Sequence, residues 1–123
     1  MKYYARTAVS CLVVMVLLLL PSSFFPRTPA GLTMLDKVVH AILFAIPTML
    51  FAFDYRKAHG QLPHVPLTFL VIGAFAFITE LSQLATRTRH FDLLDLMADI
   101  LGILLGLAAV VVHARCTASS SKT

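Results

Sequence analysis

Apolar residues run through this chain in four long blocks separated by short polar stretches, and they predict helices at 7–25, 37–53, 65–85 and 93–113. Each block is near the roughly 20 residues an α-helix needs to cross the hydrocarbon core of a bilayer. Pro47 lies inside the second block, where the loss of a backbone donor predicts a kink. The connecting stretches are short. One, at 26–36, is rich in Pro, Thr and Gly; another, at 54–64, holds Arg56, Lys57, His59 and His64. Such connections predict antiparallel neighbours. The pattern gives an all-α, four-helix transmembrane bundle, antiparallel, filling 1–123 as a single domain with 119–123 as a disordered polar tail.

Lys2 and Arg6 ahead of the apolar run at 8–20 also fit a secretory leader. No small-x-small cleavage site follows and apolar character returns at Phe24, which favours a retained first helix. Composition narrows the class further. With 59% hydrophobic and 13% charged residues and a mean hydropathy of +0.85, the 123-residue chain is too apolar for a soluble domain. Lys2, Arg6, Arg56, Lys57, Arg115 and Lys122 gather on one side of the predicted bundle, against Arg27, Lys37, Arg87 and Arg89 on the other. The positive-inside rule then predicts both termini in the cytoplasm. A net charge of +4 fits a multi-pass protein of a bacterial inner membrane, beside anionic lipid. Without aromatic platforms or a basic domain, nucleic-acid binding is not expected. Cys11 and Cys116 fall at different depths, and no clustered Cys or His ligands are present, so neither a disulfide nor a zinc site nor any other cofactor is predicted.

Two acids interrupt the apolar blocks. Glu80 lies inside the third and Asp99 inside the fourth. A charged side chain in mid-membrane costs roughly 2.5–3.5 kcal/mol on insertion scales, so such residues face the bundle interior or a wet cavity and mark function. The hairpin order brings Asp36, Lys37, His40, Glu80, Gln83, Arg87, Arg89, Asp92, Asp95 and Asp99 into one half of the membrane, the outer half in the predicted orientation. At about 1.5 Å per residue, Asp99 sits roughly 10 Å below Asp92, Glu80 a similar distance below Arg87, and His40 about 6 Å below Asp36. Facing agrees with depth. Asp92, Asp95, Asp99, Gly102 and Gly106 recur at steps of three and four down one stripe, as do Glu80, Gln83 and Arg87, and Asp36 and His40. The Gly-x-x-x-Gly spacing is assigned to close packing within the bundle.

Plainer roles compete for several of these residues. Asp36 and Asp92 stand where helices start and fit N-caps. Arg87 and His90 fit interfacial anchors, whereas Arg89 fits a guanidinium paired with buried carboxylates. His40 alone fits a satisfied interior histidine. Glu80, Gln83, Asp95 and Asp99 fit either a structural hydrogen-bond network or a ligand-contacting site.

The segments Asp36-Lys37-Val38-Val39-His40, Glu80-Leu81-Ser82-Gln83 and Arg89-His90-Phe91-Asp92-Leu93-Leu94-Asp95, followed by Gly102 and Gly106, resemble the VanZ-like family of small bacterial membrane proteins. The resemblance implies that Asp36, Lys37, His40, Glu80, Gln83, Arg89, Asp95 and the two glycines occupy the family's characteristic positions. Asp99 departs from it, since the family usually carries Asn there. The resemblance also implies a link to teicoplanin-type glycopeptide resistance, without fixing a reaction.

Three functions fit the residues. The first is non-enzymatic recognition of an anionic or polar envelope molecule, such as a lipid head group or wall precursor, with Lys37 and Arg89 as donors beside positive helix ends. Asp36, His40, Glu80, Gln83, Asp95 and Asp99 would complete that ligand-binding set. The second is a metal-assisted hydrolase or transferase on lipid-linked phosphates, with Glu80 or His40 as base and Asp95 with Asp99 on a divalent cation. No activated Ser or Cys nucleophile stands beside a base, which tilts the reading away from an enzyme. The third is proton-linked transport, which in four short helices would need a homo-oligomer.

Overall fold

The computed structural model describes residues 2–20, 33–86 and 92–120. Among them a short 3-10 turn, Lys2–Tyr4, leads into α1 (Ala5–Leu19), followed by α2 (Thr33–His59), α3 (Val65–Ala85) and α4 (Leu93–Ser120). These described residues contain no strand, and all four helical segments are long and apolar enough to cross a membrane. The four-helix transmembrane class predicted from the sequence is therefore the fold.

Local chemistry sets the boundaries. Leu20 is extended because Pro21 follows it, and the residue before a proline is pushed out of the helical region. This ends α1 at Leu19 rather than Phe25. Pro66 stands in the first turn of α3, where its missing N–H has no intrahelical partner to lose. Gly60 closes α2 at φ 76°, donating its N–H to the Arg56 carbonyl at 2.9 Å, a left-handed cap that favours glycine.

Two helices outrun the expected lengths. α2 starts at Thr33 and continues through Pro47 to His59, so the segment 54–59 is helix rather than loop. α4 continues past His113 to Ser120, taking two residues of the expected tail into the helix; 121–123 lie outside the described residues. At 27 and 28 residues each is about 40 Å long, against about 30 Å of hydrocarbon, so polar ends such as Arg56, Lys57 and Arg115 project beyond the core without ending the helix.

Chain direction alternates. Tyr4 stacks on Phe51, with ring centroids 6.2 Å apart, and Thr7 bonds Asp54, so α1 runs antiparallel to α2. Gln83 meets Leu18, which joins the C-terminal ends of α3 and α1. α2 and α4 run parallel in fixed register. Lys37 meets Asp95, His40 meets Asp99, Ala41 faces Gly102, Ala45 and Thr48 face Gly106, and the Phe53 ring stands edge-on to His113. The glycines permit this contact: a Cβ on Gly102 would lie 2.2 Å from the Ala41 carbonyl oxygen, and one on Gly106 2.7 Å from that of Ala45.

Burial is inverted relative to a water-soluble protein. Thr7, His40, Thr48, Asp54, Thr68, Thr79, Glu80, Gln83, Asp95 and Asp99 are buried, while Leu12 and Leu70 are 64% and 69% exposed. The apolar core is small and centres on Val14, Leu18, Phe44, Phe51, Ile72, Ala76 and Ile103. Exposed aliphatic side chains suit acyl chains, and helix association then rests on close packing and interhelical hydrogen bonds.

Candidate functional site

Most of the polar side chains singled out in the sequence converge between α2, α3 and α4, near the N-terminal ends of α2 and α4 and the C-terminal end of α3. At the outermost level, Asp92 precedes α4 and divides its carboxylate between two tasks. Oδ1 accepts the Leu94 N–H at 2.9 Å, an N-cap bond, and Oδ2 accepts from Lys37 Nζ at 2.8 Å. Capping and cross-helix pairing thus coexist in one residue. The Lys37 ammonium beside Asp92, with the Leu94 N–H, holds its carboxyl below the usual carboxylate range. The same ammonium bonds Asp95 Oδ1, so one lysine of α2 clamps two successive acids of the α4 stripe.

One turn deeper, His40 Nδ1 lies 2.9 Å from Asp99 Oδ1, both side chains being fully buried. Glu80 approaches from α3: one donor atom each of His40, Glu80 and Asp99 lies within 4.8 Å of the others. Glu80 Oε1 and Asp99 Oδ2 are buried with no hydrogen-bond partner among the described residues. A second cluster, Asp36, His40 and Asp95, meets the same distance limit and shares His40 with the first. The two clusters form a short polar ladder running from the end of the bundle toward its interior.

Several assignments change in detail. Asp36 lies inside the first turn of α2, since the helix begins at Thr33, and so is not its N-cap. There it faces the positive end of the helix dipole and belongs to the outer cluster. Gln83 shares its helix face with Glu80, but its amide donates to the Leu18 carbonyl at 3.0 Å. That bond satisfies a carbonyl in the last turn of α1, which has no intrahelical partner of its own. Asp95 and Asp99, paired on one cation in the sequence reading, fall in different clusters. Arg87, Arg89 and His90 lie outside the described residues.

A further polar node was missed. Asp54 is fully buried near the opposite end of the bundle, where its Oδ1 accepts from Arg6 Nε and Nη2 at 3.0 and 2.5 Å. Its Oδ2 accepts from the Thr7 N–H and hydroxyl at 3.2 and 2.8 Å. Four donors from the start of α1 compensate one buried carboxylate and pin α1 to α2. The signal was present, since Asp54 continues the buried stripe of His40, Phe44, Pro47 and Phe51 at steps of three and four. Beside this node, an apolar groove of about 660 Å³ runs between α1 and α2, lined by Val9, Val13, Leu17, Leu43, Ile46 and Leu50.

Four apolar helices around buried carboxylates and a buried histidine, with one half-buried lysine beside them, define a multi-pass membrane protein with a polar interior site. The sequence pattern of the VanZ/LLP1 family matches residues 7–114, and the chain belongs to that family. It is also similar to an uncharacterized protein of Schizosaccharomyces pombe, with 31% identity over 106 residues, or 83% of this chain and 63% of the relative. The chain therefore spans less than two thirds of that relative's length. No solved structure matches.

Proposed function

We propose that this protein binds a polar lipid head group, or a wall precursor of similar chemistry, at the end of the bundle where Lys37, Asp92, Asp95 and Asp36 meet, with that end facing outward. Support comes first from the clamp of Lys37 between Asp92 and Asp95. It sets an ammonium donor and several carboxylate acceptors side by side at the end of the bundle, with the outer members of the set half-buried. The described groups carry more acid than base, so the ligand best matched to them offers hydroxyl or ammonium donors as well as phosphate, with Arg89 as the second cationic donor. The N-terminal ends of α2 and α4 add positive dipole ends at the same level. Membership in the VanZ/LLP1 family fits such an envelope role, including one in glycopeptide resistance in a bacterial inner membrane.

The test is thermal unfolding of detergent-purified protein with added phosphatidylethanolamine, phosphatidylglycerol or diacylglycerol. Head-group binding predicts a rise in Tm with one or both phospholipids and none with diacylglycerol, lost in Lys37→Met and Arg89→Ala. An equal rise with all three lipids, or one retained in both variants, rejects the reading.

A further inference from the structure

One turn deeper than the Lys37 clamp lies a second constellation, one that the binding reading does not use. His40 from α2, Glu80 from α3 and Asp99 from α4 each bring a donor atom within 4.8 Å of the other two, and all three residues are at most 1% exposed. Two carboxylate oxygens there, Glu80 Oε1 and Asp99 Oδ2, have no partner among the described residues. Buried carboxylate oxygens without donors are expensive in a low-dielectric interior. Every other buried acid has donors assigned to it: Asp54 has Arg6 and Thr7, and Asp95 has Lys37.

From this geometry we infer that His40, Glu80 and Asp99 form an intramembrane binding site for one divalent transition-metal ion of the Zn²⁺ or Mn²⁺ class. Charge favours it. Two carboxylates and a dication sum to zero, so loading removes the net charge that makes the site costly in hydrocarbon. Ligand type favours it too, since one imidazole with two carboxylates suits borderline metals, whereas Ca²⁺ and Mg²⁺ prefer an all-oxygen shell. Distance is compatible with a small adjustment. Metal–donor bonds of about 2.0–2.2 Å place two donors of one ion at most about 4.2 Å apart. All three donor pairs lie within 4.8 Å, so any adjustment needed is at most about half an ångström, within reach of side-chain rotation. The His40–Asp99 contact already holds an imidazole nitrogen and a carboxylate oxygen 2.9 Å apart, a separation at which both can bond one ion in place of the proton they now share. Asp36 and Asp95, whose cluster shares His40 with the inner one, lie nearer the end of the bundle.

The site is read without any lipid, so its failure and that of the head-group proposal are separable. Purified protein, stripped with a chelator and dialysed separately against Mn²⁺, Zn²⁺ and Mg²⁺, is assayed for bound metal by mass spectrometry. About one Mn²⁺ or Zn²⁺ ion per chain is expected, without Mg²⁺. Pulsed electron paramagnetic resonance on the Mn²⁺ form should show coupling to an imidazole nitrogen. Glu80→Gln and Asp99→Asn should each weaken binding by about tenfold or more, while His64→Ala, an exposed histidine, leaves it unchanged. Wild-type protein that retains no transition metal overturns the inference whatever the variants do. So does an ion that shows no nitrogen coupling, or one held equally well by folded Glu80→Gln and Asp99→Asn.

Discussion

Replacing Gly102 by alanine puts a methyl group where α4 meets the α2 backbone, the closest approach at any described glycine. The new Cβ would stand 2.2 Å from the Ala41 carbonyl oxygen and 2.9 and 3.0 Å from the Ala41 carbonyl carbon and Cα. Ordinary contacts begin near 3.5 Å, so α2 and α4 must separate by about 1 Å, because the obstacle is backbone and cannot rotate away. Overpacking of this kind costs about 1–3 kcal/mol, and the better helix propensity of alanine returns at most about 1 kcal/mol. The same separation would stretch the 2.9 Å His40–Asp99 contact beyond hydrogen-bonding range. Gly106→Ala meets the Ala45 oxygen at 2.7 Å and the Thr48 Cβ at 2.9 Å and should cost less. Gly73 has nothing within 4 Å of an added Cβ, so Gly73→Ala should be neutral or stabilising by up to about 1 kcal/mol. Reversible unfolding of the three variants in mixed micelles should rank them Gly102→Ala, Gly106→Ala, Gly73→Ala from least to most stable. A Gly102→Ala protein as stable as Gly73→Ala refutes the close α2–α4 contact.

Three further outcomes are expected. Asp54→Ala removes the acceptor of four hydrogen bonds, two of them from the Arg6 guanidinium, and should destabilise by about 2–3 kcal/mol in the same unfolding assay; no change would show that α1 is not held there. A double-mutant cycle with His40→Gln and Asp99→Asn should give a coupling energy of about 1.5–3 kcal/mol, and additive effects would separate the pair. The Asp92 carboxyl is held low in the folded state, so its contribution is complete above its unfolded pKa and disappears as pH falls through the lower folded value. That contribution is at most about 1 kcal/mol for a carboxylate 44% exposed, so stability curves of wild type and Asp92→Asn should converge in acid and diverge toward neutrality; parallel curves would contradict the pairing.

Much of this was legible in the sequence because membrane helices declare themselves by length. α3 spans Val65–Ala85 as the hydropathy pattern predicts, and α4 begins at Leu93 after the Asp92 cap. His40, Glu80 and Asp99 share a depth that a rise of about 1.5 Å per residue already predicts, because hairpin topology leaves a polar residue little freedom in level. Boundaries were harder. Asp54, Arg56 and Lys57 read as loop because charges normally end a span, yet α2 continues and Asp54 is satisfied by Arg6 and Thr7 of α1. Partner choice was not legible either: periodicity puts Gln83 on the face of Glu80, but only three-dimensional packing shows its amide reaching the Leu18 carbonyl.

Carboxylate and imidazole side chains from separate helices meet inside the bundle. Solid-state nuclear magnetic resonance on protein labelled at histidine nitrogens and aspartate carboxyl carbons, in lipid bilayers, measures this directly. A measurable through-space dipolar coupling between His40 Nδ1 and the Asp99 carboxyl carbon is predicted from their 2.9 Å nitrogen–oxygen contact, and it should vanish in Asp99→Asn spectra that retain the other histidine signals. A His40 nitrogen with no carboxyl coupling in the folded, reconstituted protein would contradict the shared interior site.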